Sequence, residues 1–460
     1  MGSDFSRALV PDDQKGASMR TSTSGKFVQL QARKAAMAFA ALSLIAVSSG
    51  CSSQSAPSST GSASGGASAE AAPVESGAPE RGDADLVIWA NGPFVQAMQP
   101  IADKFGEENG ITVEVQTVAT DLQTNFVTAN ASGNGPDIVV GAHDWIGNLV
   151  QNSAIDPVQI SEDQKEALVP IAEQAVTYNG QTYGMPYSIE SLVLIRNTDL
   201  APEAPSSVEE LLTMGQEAVD AGTADRALNL QVGPEGDAYF MQPFYSSAGG
   251  YLFGQNDDGS YDPADLGVGQ PGSIAAAEKI AELGETGTGD LTQSLTFDNS
   301  IAQFNSGRIP FMVNGPWTLG DIREAGINYE ISPIPGFEGM DPAQPFTGVQ
   351  SFYVASKGEN KSFAQTFLQT VVGTDETQRA LYEAYGIPPA TESLLEEVSA
   401  EDPDAKLSAE AAAAGIPMPA LPAMAAVWAP LGQAEAAIVG GADPEQTMID
   451  AGKTIAAALK

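Results

Sequence analysis

The 460-residue chain contains one cysteine, Cys51, and one histidine, His143. A disulfide within one chain needs two cysteines, so a disulfide framework is excluded. Structural metal sites built from several Cys and His side chains are excluded as well. The Asp-x-Asp-x-Asp-Gly loop of calcium sites is also missing from the sequence. We therefore expect no metal and no cofactor.

Basic residues are scarce, because 20 Lys and Arg stand against 59 Asp and Glu and the net charge is −39 at pH 7. Such an acidic surface repels the phosphates of nucleic acids and anionic lipid headgroups. We therefore expect no nucleic acid partner and no direct binding to a lipid surface. The phosphate-binding loops G-x-G-x-x-G and G-x-x-x-x-G-K-[ST] are also missing.

The apolar run AAMAFAALSLIAV at residues 35–47 is shorter than the ~20 residues that a membrane-spanning helix needs. Basic residues precede it and small residues follow it, which predicts a signal peptide over residues 1–50. The run ends in SSGCSS, which resembles a bacterial lipoprotein processing site with Cys51 as the lipidated residue. Ser48 departs from that site, which prefers Leu or Val there.

The segment after Cys51 is rich in Ser, Gly, Ala and Pro up to residue 82. Such a composition buries too little apolar surface to fold. We predict that residues 51–82 form a lipidated cysteine and a flexible tether. The folded part would then be held at the extracellular face of the cell membrane through its lipid anchor only.

Strand and helix patterns alternate in the remaining chain. The run DLVIWAN at residues 85–91 predicts a buried strand, a helical segment ends at Gly110, and ITVEVQTV alternates with period two. A helix over residues 121–132 and the strand DIVV complete a β-α-β-α-β unit, which predicts an α/β lobe with a mostly parallel sheet. Further strands are predicted at SLVLIRN, LNLQV and IPFMVNG. We also predict a capping box of Ser207 with Glu210 and a helix that begins at Asp443-Pro444.

Candidate ligand-binding residues follow the predicted strands. Asn91, the group His143, Asp144 and Trp145, and the motif NGPW with Trp317 all follow strands. Ligands bind at such strand ends in open α/β sheets. Tryptophan rings pack on the apolar face of a sugar, and carboxylates accept hydrogen bonds from its hydroxyls. We therefore predict a carbohydrate as the ligand, and we predict that His143 is a hydrogen-bonded residue at a strand end.

The motifs LVIWANG, GPDIVVGAHD, SIESLVLIRNTDL, AGGYLFGQNDDGSYD, FNSGRIPFMVNGPW and IPMPALPAMAAVWAP together resemble the maltose/maltodextrin-binding proteins of bacterial ABC importers. The resemblance runs from about residue 85 to the end of the chain. It implies an α/β, two-lobed periplasmic-binding-protein-like fold with an interlobe ligand cleft and crossing hinge strands. The first lobe would comprise residues 83–188 and 347–396, and the second lobe residues 191–346 and 401–460.

The resemblance also implies a set of ligand-binding residues. They comprise an Asn at the pocket edge, three carboxylates, a stacking Tyr and two tryptophans: Asn91, Asp144, Glu190, Asp237, Tyr239, Trp317 and Trp428.

The chain departs from the family at several ligand positions. Where the family has an Asp-Lys pair after the Asn-Gly, this chain has Pro93-Phe94. Where the family has an acidic pair near the pocket mouth, this chain has Gln123-Thr124. The aromatic residue that the family has three positions before Asp144 is replaced by Gly141 in this chain. Two arginines are replaced by Trp145 and Gly432. We predict that Trp145 replaces the missing aromatic face from a neighbouring position, and we include it in the ligand-binding set.

Three classes of function are compatible with these residues. The resemblance favours a monomeric, non-enzymatic binding component of an ABC importer, which captures maltose or maltodextrin-like oligosaccharides by lobe closure and delivers them to the permease subunits. Another glucoside such as trehalose fits the same reasoning. Asp144, Glu190 and Asp237 would also serve as the acid and base of a glycoside hydrolase. A peptide binder or a binder of metal-containing ligands on the same fold is the third class, and the single histidine disfavours a metal-containing ligand.

Overall fold

The computed structural model describes residues 80–92, 94–256 and 260–459. The predicted signal peptide, Cys51 and all of the predicted tether before residue 80 lie outside the described residues. The strands are β1 (Leu86–Ala90), β2 (Val113–Thr117), β3 (Ile138–Ala142), β4 (Ile155–Asp156), β5 (Thr177–Tyr178), β6 (Gln181–Thr182), β7 (Gly184–Ser191), β8 (Val193–Asn197), β9 (Leu228–Asn229), β10 (Phe253–Gln255), β11 (Tyr261–Leu266), β12 (Phe311–Asn314), β13 (Tyr329–Ser332), β14 (Phe346–Ala355) and β15 (Ile416–Pro417).

Helices alternate with these strands along most of the chain. The α-helices are α1 (Phe94–Asn109), α2 (Leu122–Ser132), α3 (Ile146–Gln151), α4 (Glu162–Glu166), α5 (Pro170–Ala175), α6 (Val208–Asp220), α7 (Ala238–Ser247), α8 (Pro271–Leu283), α9 (Phe297–Phe304), α10 (Leu319–Glu324), α11 (Lys361–Phe367), α12 (Asp375–Tyr385), α13 (Glu392–Glu401), α14 (Pro403–Ala414), α15 (Trp428–Val439) and α16 (Pro444–Ala458). Short 3-10 helices span His143–Trp145, Pro316–Thr318 and Pro422–Ala426. Within the described residues, no helix has both the length and the apolar character needed to cross a membrane.

The predicted β-α-β-α-β unit is confirmed as β1-α1-β2-α2-β3. All five residues of β1 are buried, as expected for a strand covered on both faces. Helix α1 buries Phe94, Met98, Ala102 and Phe105, whose spacing places them on one face. Gly110 follows with φ of 68°, a conformation that glycine adopts without strain.

The first sheet has the order β15-β14-β3-β1-β2, and β4 and β7 also pair with β14. The pairs β1–β2 and β1–β3 are parallel, but β14 is antiparallel to β3, β4 and β7. The prediction of a mostly parallel sheet was therefore wrong, and the sheet is mixed. The reason is that β14 returns to this sheet from a distant part of the chain and runs against β3.

A second sheet has the order β13-β8-β12-β9, and two short hairpins are formed by β5–β6 and β10–β11. Strand β7 belongs to the first sheet and β8 to the second, so the chain passes between the sheets at Leu192. It returns between β13 and β14. Hydrophobic clusters cover both sheets, and the largest of them also contains Phe346 of β14 from the first sheet. The molecule is thus a mixed α/β protein with two sheets joined by crossing strands, whereas the bounds of the two lobes stay a prediction.

Two local predictions needed correction. The predicted strand LNLQV is paired only over Leu228–Asn229, because Val232 donates its N–H to Leu295 O instead of continuing the ladder. Ser207 does cap α6 by accepting from the N–H of Glu210. The Glu210 carboxylate, however, accepts from the N–H and hydroxyl of Ser206, so the reciprocal half of the capping box is not formed.

Residues at the end of the predicted tether are bound to the fold. The Arg81 guanidinium lies 2.9 Å from the buried Asp137 carboxylate. The N–H of Gly82 donates to Gln116 Oε1 at 3.2 Å. Arg81 and Gly82, at the end of the predicted tether, therefore contact residues of the first lobe, and the bounds of the tether stay a prediction. The predicted helix start is confirmed at the other end of the chain, where Asp443 accepts from Gln446 N and Pro444 begins α16.

Candidate functional site

His143 lies at the end of β3 and has a structural role. Its Nδ1 accepts from the N–H of Val349 at 3.1 Å, so Nε2 carries the proton and donates to Met418 O at 3.2 Å. Burial lowers the pKa of His143 to about 4, so the ring is neutral at pH 7. The prediction of a hydrogen-bonded residue at a strand end is confirmed. The ring joins three segments that are far apart in sequence.

Asp144 follows directly and is only 7% exposed. The Trp428 indole N–H donates to Asp144 Oδ2 at 3.3 Å. Burial raises the pKa of Asp144 to about 6, against the opposite effect of the Trp428 hydrogen bond. The Asp144 carboxylate is therefore buried, and its lone pairs that Trp428 does not use can accept hydrogen bonds from hydroxyl donors.

The Trp145 ring covers Gly141. A Cβ placed on Gly141 would lie 2.1 Å from the ring, so only a glycine leaves room for the ring in this position. Trp145 is half-buried and packs against the hydrophobic cluster that contains Val87 and Trp89. The ring thus lies directly over position 141, and that it offers an aromatic face to the ligand stays a prediction.

Glu190 lies near the end of β7, where the chain leaves the first sheet. It is 8% exposed, and the Gln350 amide donates to its Oε1 at 2.8 Å. Burial raises the pKa of Glu190, and the Gln350 hydrogen bond opposes this effect. Opposite Glu190 in the sheet is Gly348, where a Cβ would lie 2.9 Å from Glu190 Cγ. Because Gly348 has no side chain, the Glu190 side chain occupies this position without a steric clash.

Asp237 caps α7 and is positioned by a close backbone contact. Its Oδ1 accepts from the N–H of Phe240, and the Gln231 amide donates to its Oδ2 at 2.6 Å. Burial raises the pKa of Asp237. The preceding Gly236, with φ of 80°, packs on Gly432 of α15, and a Cβ on Gly236 would lie 1.7 Å from Gly432 O.

Three aromatic rings form a continuous group beside these carboxylates. Tyr239 stacks on Phe346 with 6.1 Å between the centroids, and Phe346 meets Trp428 edge-on at 5.6 Å. Tyr239, Trp317 and Trp428 all pack against the same hydrophobic cluster. The Trp317 ring lies over Gly315, which has no side chain to obstruct it.

The Tyr239 hydroxyl is buried and is influenced by the charges of three predicted carboxylates. It has no hydrogen-bond partner among the described residues. Its pKa is raised well above the usual range, first by burial and then by the charges of Glu190, Asp237 and Asp144. Three predicted carboxylates therefore act electrostatically on one unsatisfied hydroxyl, and Trp428 contacts one of them, Asp144, by a hydrogen bond.

Two predicted residues lie further out. Asn91 is exposed after β1, and no described contact joins it to the carboxylates. Trp317 is half-buried and is connected to the group only through the shared cluster. None of the salt bridges of the described residues involves Asp144, Glu190 or Asp237. The site therefore combines aromatic faces with carboxylates that have no cation partner. Such carboxylates accept hydrogen bonds from hydroxyls, which suits a neutral ligand that is rich in hydroxyl groups.

Residues 100–413 match the family model of the bacterial extracellular solute-binding proteins, and this match covers more than half of the chain. The chain belongs to that family.

This solute-binding protein is similar to several curated relatives. A maltotriose-binding protein of Pyrococcus abyssi is 28% identical over 360 residues, which cover 76% of each chain. A galactooligosaccharide-binding protein of Bacillus subtilis is 27% identical over 393 residues, which cover 82% of this chain and 90% of the relative. A maltooligosaccharide ABC transporter solute-binding lipoprotein of Streptococcus pneumoniae is 25% identical over 355 residues, which cover 75% and 82%. These relatives are binding proteins by name.

Sequence reasoning missed three residues of this solute-binding protein's site. Position 346 entered the sequence analysis only as the boundary between two predicted lobe segments, yet the Phe346 ring lies between Tyr239 and Trp428. Gln350 and Gln231 position two of the carboxylates. The position of Phe346 at the start of a predicted crossing strand was the one available signal. The pairing of Gln350 with Glu190, 160 residues apart, left no signal in the local sequence.

A buried carboxylate outside the predicted set is Glu435 of α15. It is fully buried, and neither of its oxygens has a partner among the described residues. Burial and then the charge of Asp237 raise its pKa well above the usual range. Within the same residues, no group of three or more Cys, His, Asp or Glu side chains is arranged to hold a metal ion.

Proposed function

We propose that this protein is the extracellular sugar-capturing component of an ABC importer and that its ligands are maltodextrin-like oligosaccharides. One observation carries the proposal: the buried Tyr239 hydroxyl has no partner among the described residues, and the charges of Glu190, Asp237 and Asp144 act on it. A buried hydroxyl without a partner costs about 1–3 kcal/mol, so a ligand that supplies one is favoured. The relatives named as maltotriose and maltooligosaccharide binders support the choice of sugar.

The chemistry of a glucose chain fits this site. Each pyranose ring has an apolar face for the indole and phenol rings of Trp428, Trp145 and Tyr239. Hydroxyls at the rim donate to carboxylates that have no cation partner, and each such hydrogen bond is worth about 1.5–3 kcal/mol. Trp317 provides a further face and Asn91 an amide at the edge of the pocket. No bond of the sugar needs to break for these contacts to form.

Lobe closure is proposed as the capture step. Asp144 belongs to the predicted first lobe and Trp428 to the second, and the two side chains are hydrogen-bonded. Next to them the backbones touch, because a Cβ on Gly147 would lie 2.5 Å from Ala420 O. A sugar held between these segments stabilises the closed arrangement through its greater affinity for that state. The crossing segments near residues 188–191 and 346–347 provide the hinge.

Delivery requires a permease and a location. We propose that lipidated Cys51 holds the monomer at the extracellular face of the membrane and that the segment before residue 80 keeps it close to the permease subunits. The pneumococcal relative that is named a lipoprotein supports this location. Replacing Cys51 with Ala should release the protein into the medium, and retention on the cells would contradict the anchor.

Galacto-oligosaccharides are the second candidate, because the relative with that name aligns over 82% of this chain and 90% of its own length. Trehalose or another glucoside would use the same contacts. Hydrolysis is the competing chemistry, because Asp144 and Glu190 are buried carboxylates with raised pKa values, as a glycosidase acid requires. The family and the named relatives are binding proteins, which favours binding without hydrolysis.

The test is a calorimetric and tryptophan-fluorescence panel with maltose, maltotriose, longer maltodextrins, galacto-oligosaccharides, trehalose, sucrose and a peptide mixture. We expect the maltodextrins to bind most tightly. Chromatography of the same mixtures after incubation should recover the sugars intact. Release of monosaccharide would establish the hydrolase instead, and binding of the peptides alone would overturn the proposal.

A further inference from the structure

The candidate site carries negative charge that no basic side chain of the described residues offsets. Asp144, Glu190 and Asp237 take part in none of the salt bridges found in the described part of the chain. No described Lys or Arg is among the groups whose charges act on these carboxylates or on the Tyr239 hydroxyl. The adjacent His143 is neutral at pH 7, because burial lowers its pKa to about 4. A positive charge at this site therefore has to come from the ligand.

Two of the carboxylates are connected through the first sheet. Glu190 lies opposite Gly348 in the β7–β14 pair. The next residue of β14, Val349, donates its N–H to His143 Nδ1 at 3.1 Å, and Asp144 follows His143 directly. A continuous path of contacts thus leads from Glu190 to Asp144.

A second path of contacts leads from Asp144 to Asp237. The Trp428 indole donates to Asp144 Oδ2 at 3.3 Å, and its ring meets Phe346 edge-on with 5.6 Å between the centroids. Phe346 stacks on Tyr239 at 6.1 Å, and Asp237 caps α7 two residues before Tyr239. The three carboxylates therefore belong to one connected group that also contains three aromatic rings.

The Tyr239 hydroxyl indicates where in this group a cation would bind. Its oxygen is buried and has no hydrogen-bond partner among the described residues. The charges of Glu190, Asp237 and Asp144 all act on it, in that order of size. A positive group beside this oxygen is therefore attracted by all three carboxylates at once, and most strongly by Glu190 and Asp237.

An ammonium group suits this position better than a hydroxyl does. A neutral sugar satisfies lone pairs of the carboxylates but leaves their charge uncompensated. An ammonium has three N–H donors and a positive charge, and its hydrogen bonds to carboxylates are stronger than those between neutral groups. Burial has already removed water from the carboxylates, as the raised pKa values of Asp144, Glu190 and Asp237 show, so binding has to desolvate the ammonium only. The faces of Tyr and Trp rings attract a cation as well.

We propose that the site prefers a sugar that carries an ammonium group over the same sugar with a hydroxyl at that position. The ammonium donates to Glu190, Asp237 and the Tyr239 oxygen, and Asp144 accepts from hydroxyls of the sugar. This inference rests on the proposed function, and it adds a preference for amino sugars within the ligand class.

The test compares ligands that differ in one group. Calorimetry at pH 7 measures the affinities of maltose and maltotriose, of analogues in which a single hydroxyl, varied in position, is replaced by an amino group, and of the N-acetylated forms of these analogues, which are neutral. We expect at least one amino analogue to bind at least tenfold more tightly than its parent sugar, and N-acetylation to abolish that gain.

Two isosteric variants separate charge from shape. Glu190→Gln keeps an oxygen for the Gln350 amide, and Asp237→Asn keeps an oxygen that caps α7. Each should lower the ratio of the two affinities, amino analogue over parent sugar, at least threefold, because one negative charge is lost. Asp103→Asn, at an exposed position of α1, is the matched control and should keep the ratio within twofold.

The outcomes distinguish this inference from the proposed function. Amino analogues that bind no more tightly than their parents, or a ratio that both site variants leave unchanged although urea unfolding shows them folded, would overturn the inference. Binding of maltose and maltotriose would leave the proposed function standing in either case. Wild type that binds neither the parent sugars nor the analogues would overturn both.

Discussion

Replacement of Asp144 by Asn removes a buried charge and should stabilise the protein while weakening its binding. Burial raises the pKa of Asp144 from 3.8 to about 6, so the folded state holds its proton more tightly than the unfolded state does. The ionised carboxylate therefore destabilises the fold, with the full penalty above pH 6 and none below pH 3.8. At about 1.4 kcal/mol per pH unit, the gap between 3.8 and about 6 is worth about 3 kcal/mol.

Urea unfolding followed by tryptophan fluorescence measures this effect. At pH 7.5, Asp144→Asn should have a free energy of unfolding up to about 3 kcal/mol above that of wild type. The gain should shrink as the pH falls from 6 to 4. Asp103→Asn, at an exposed position of α1, is the matched control and should change the stability little. A variant that is less stable than wild type at pH 7.5 would refute this reasoning.

Binding should change in the opposite direction. If sugar hydroxyls donate to the ionised form, protonation of Asp144 competes with the ligand, and wild-type affinity should fall about tenfold between pH 7 and pH 5 for a pKa of about 6. Asp144→Asn should bind at least tenfold more weakly at pH 7.5, since it loses a charged acceptor, and its affinity should depend less on pH. Wild-type affinity in Asp144→Asn would show that this carboxylate does not bind the ligand.

The neighbouring His143 opposes Asp144 over the same pH range. Its pKa is lowered to about 4 in the folded state, so the unfolded state binds the proton more readily. The stability linked to His143 is complete above pH 6.5 and is lost as the pH falls towards 4. The pH dependence of wild-type stability therefore does not separate the effect of Asp144 from that of His143. Each variant must be compared with wild type at the same pH.

Three further predictions concern other residues. Trp317→Ala should weaken sugar binding more than tenfold in calorimetry without unfolding the protein, and unchanged affinity would place Trp317 outside the pocket. Burial raises the pKa of Glu435 well above 4.5, so wild type should lose about 1.4 kcal/mol of its free energy of unfolding per pH unit above pH 4.5 through this residue. Glu435→Gln should remove that loss and give a flatter pH profile of urea unfolding. An unchanged profile would contradict this origin. Gly141→Ala should displace the Trp145 ring, which would be 2.1 Å from the new Cβ, and should lower stability by about 1–3 kcal/mol together with sugar affinity; wild-type values for both would mean that the ring is not held there.

Local signals in the sequence were the reliable ones. The β-α-β-α-β unit, the Gly110 helix end and the Ser207 cap depend on residues within a few positions of each other, and the structure contains them all. Glu210 was mispredicted because Ser206 competes with Ser207 for its carboxylate, which the motif does not encode.

The site itself was predictable only in part. Strand ends indicated Asp144, and the family resemblance added Glu190, Asp237 and Tyr239, whose spatial relation could not be read from the sequence. Phe346 reaches the site because β14 crosses back to the first sheet, and Gln350 because that strand is antiparallel to β7. Neither relation is visible in hydrophobic periodicity, which reports the buried face of an element and not its neighbours.

The contact between Gly141 and Trp145 bears on how such proteins are compared by alignment. Scored column by column, the two positions count as independent changes. In space they are coupled, because the indole of Trp145 lies over the bare Cα of Gly141. Divergent homologues are therefore better grouped by which atoms border the pocket than by which columns are retained, and an alanine at position 141 should be rare in any homologue that has tryptophan at position 145.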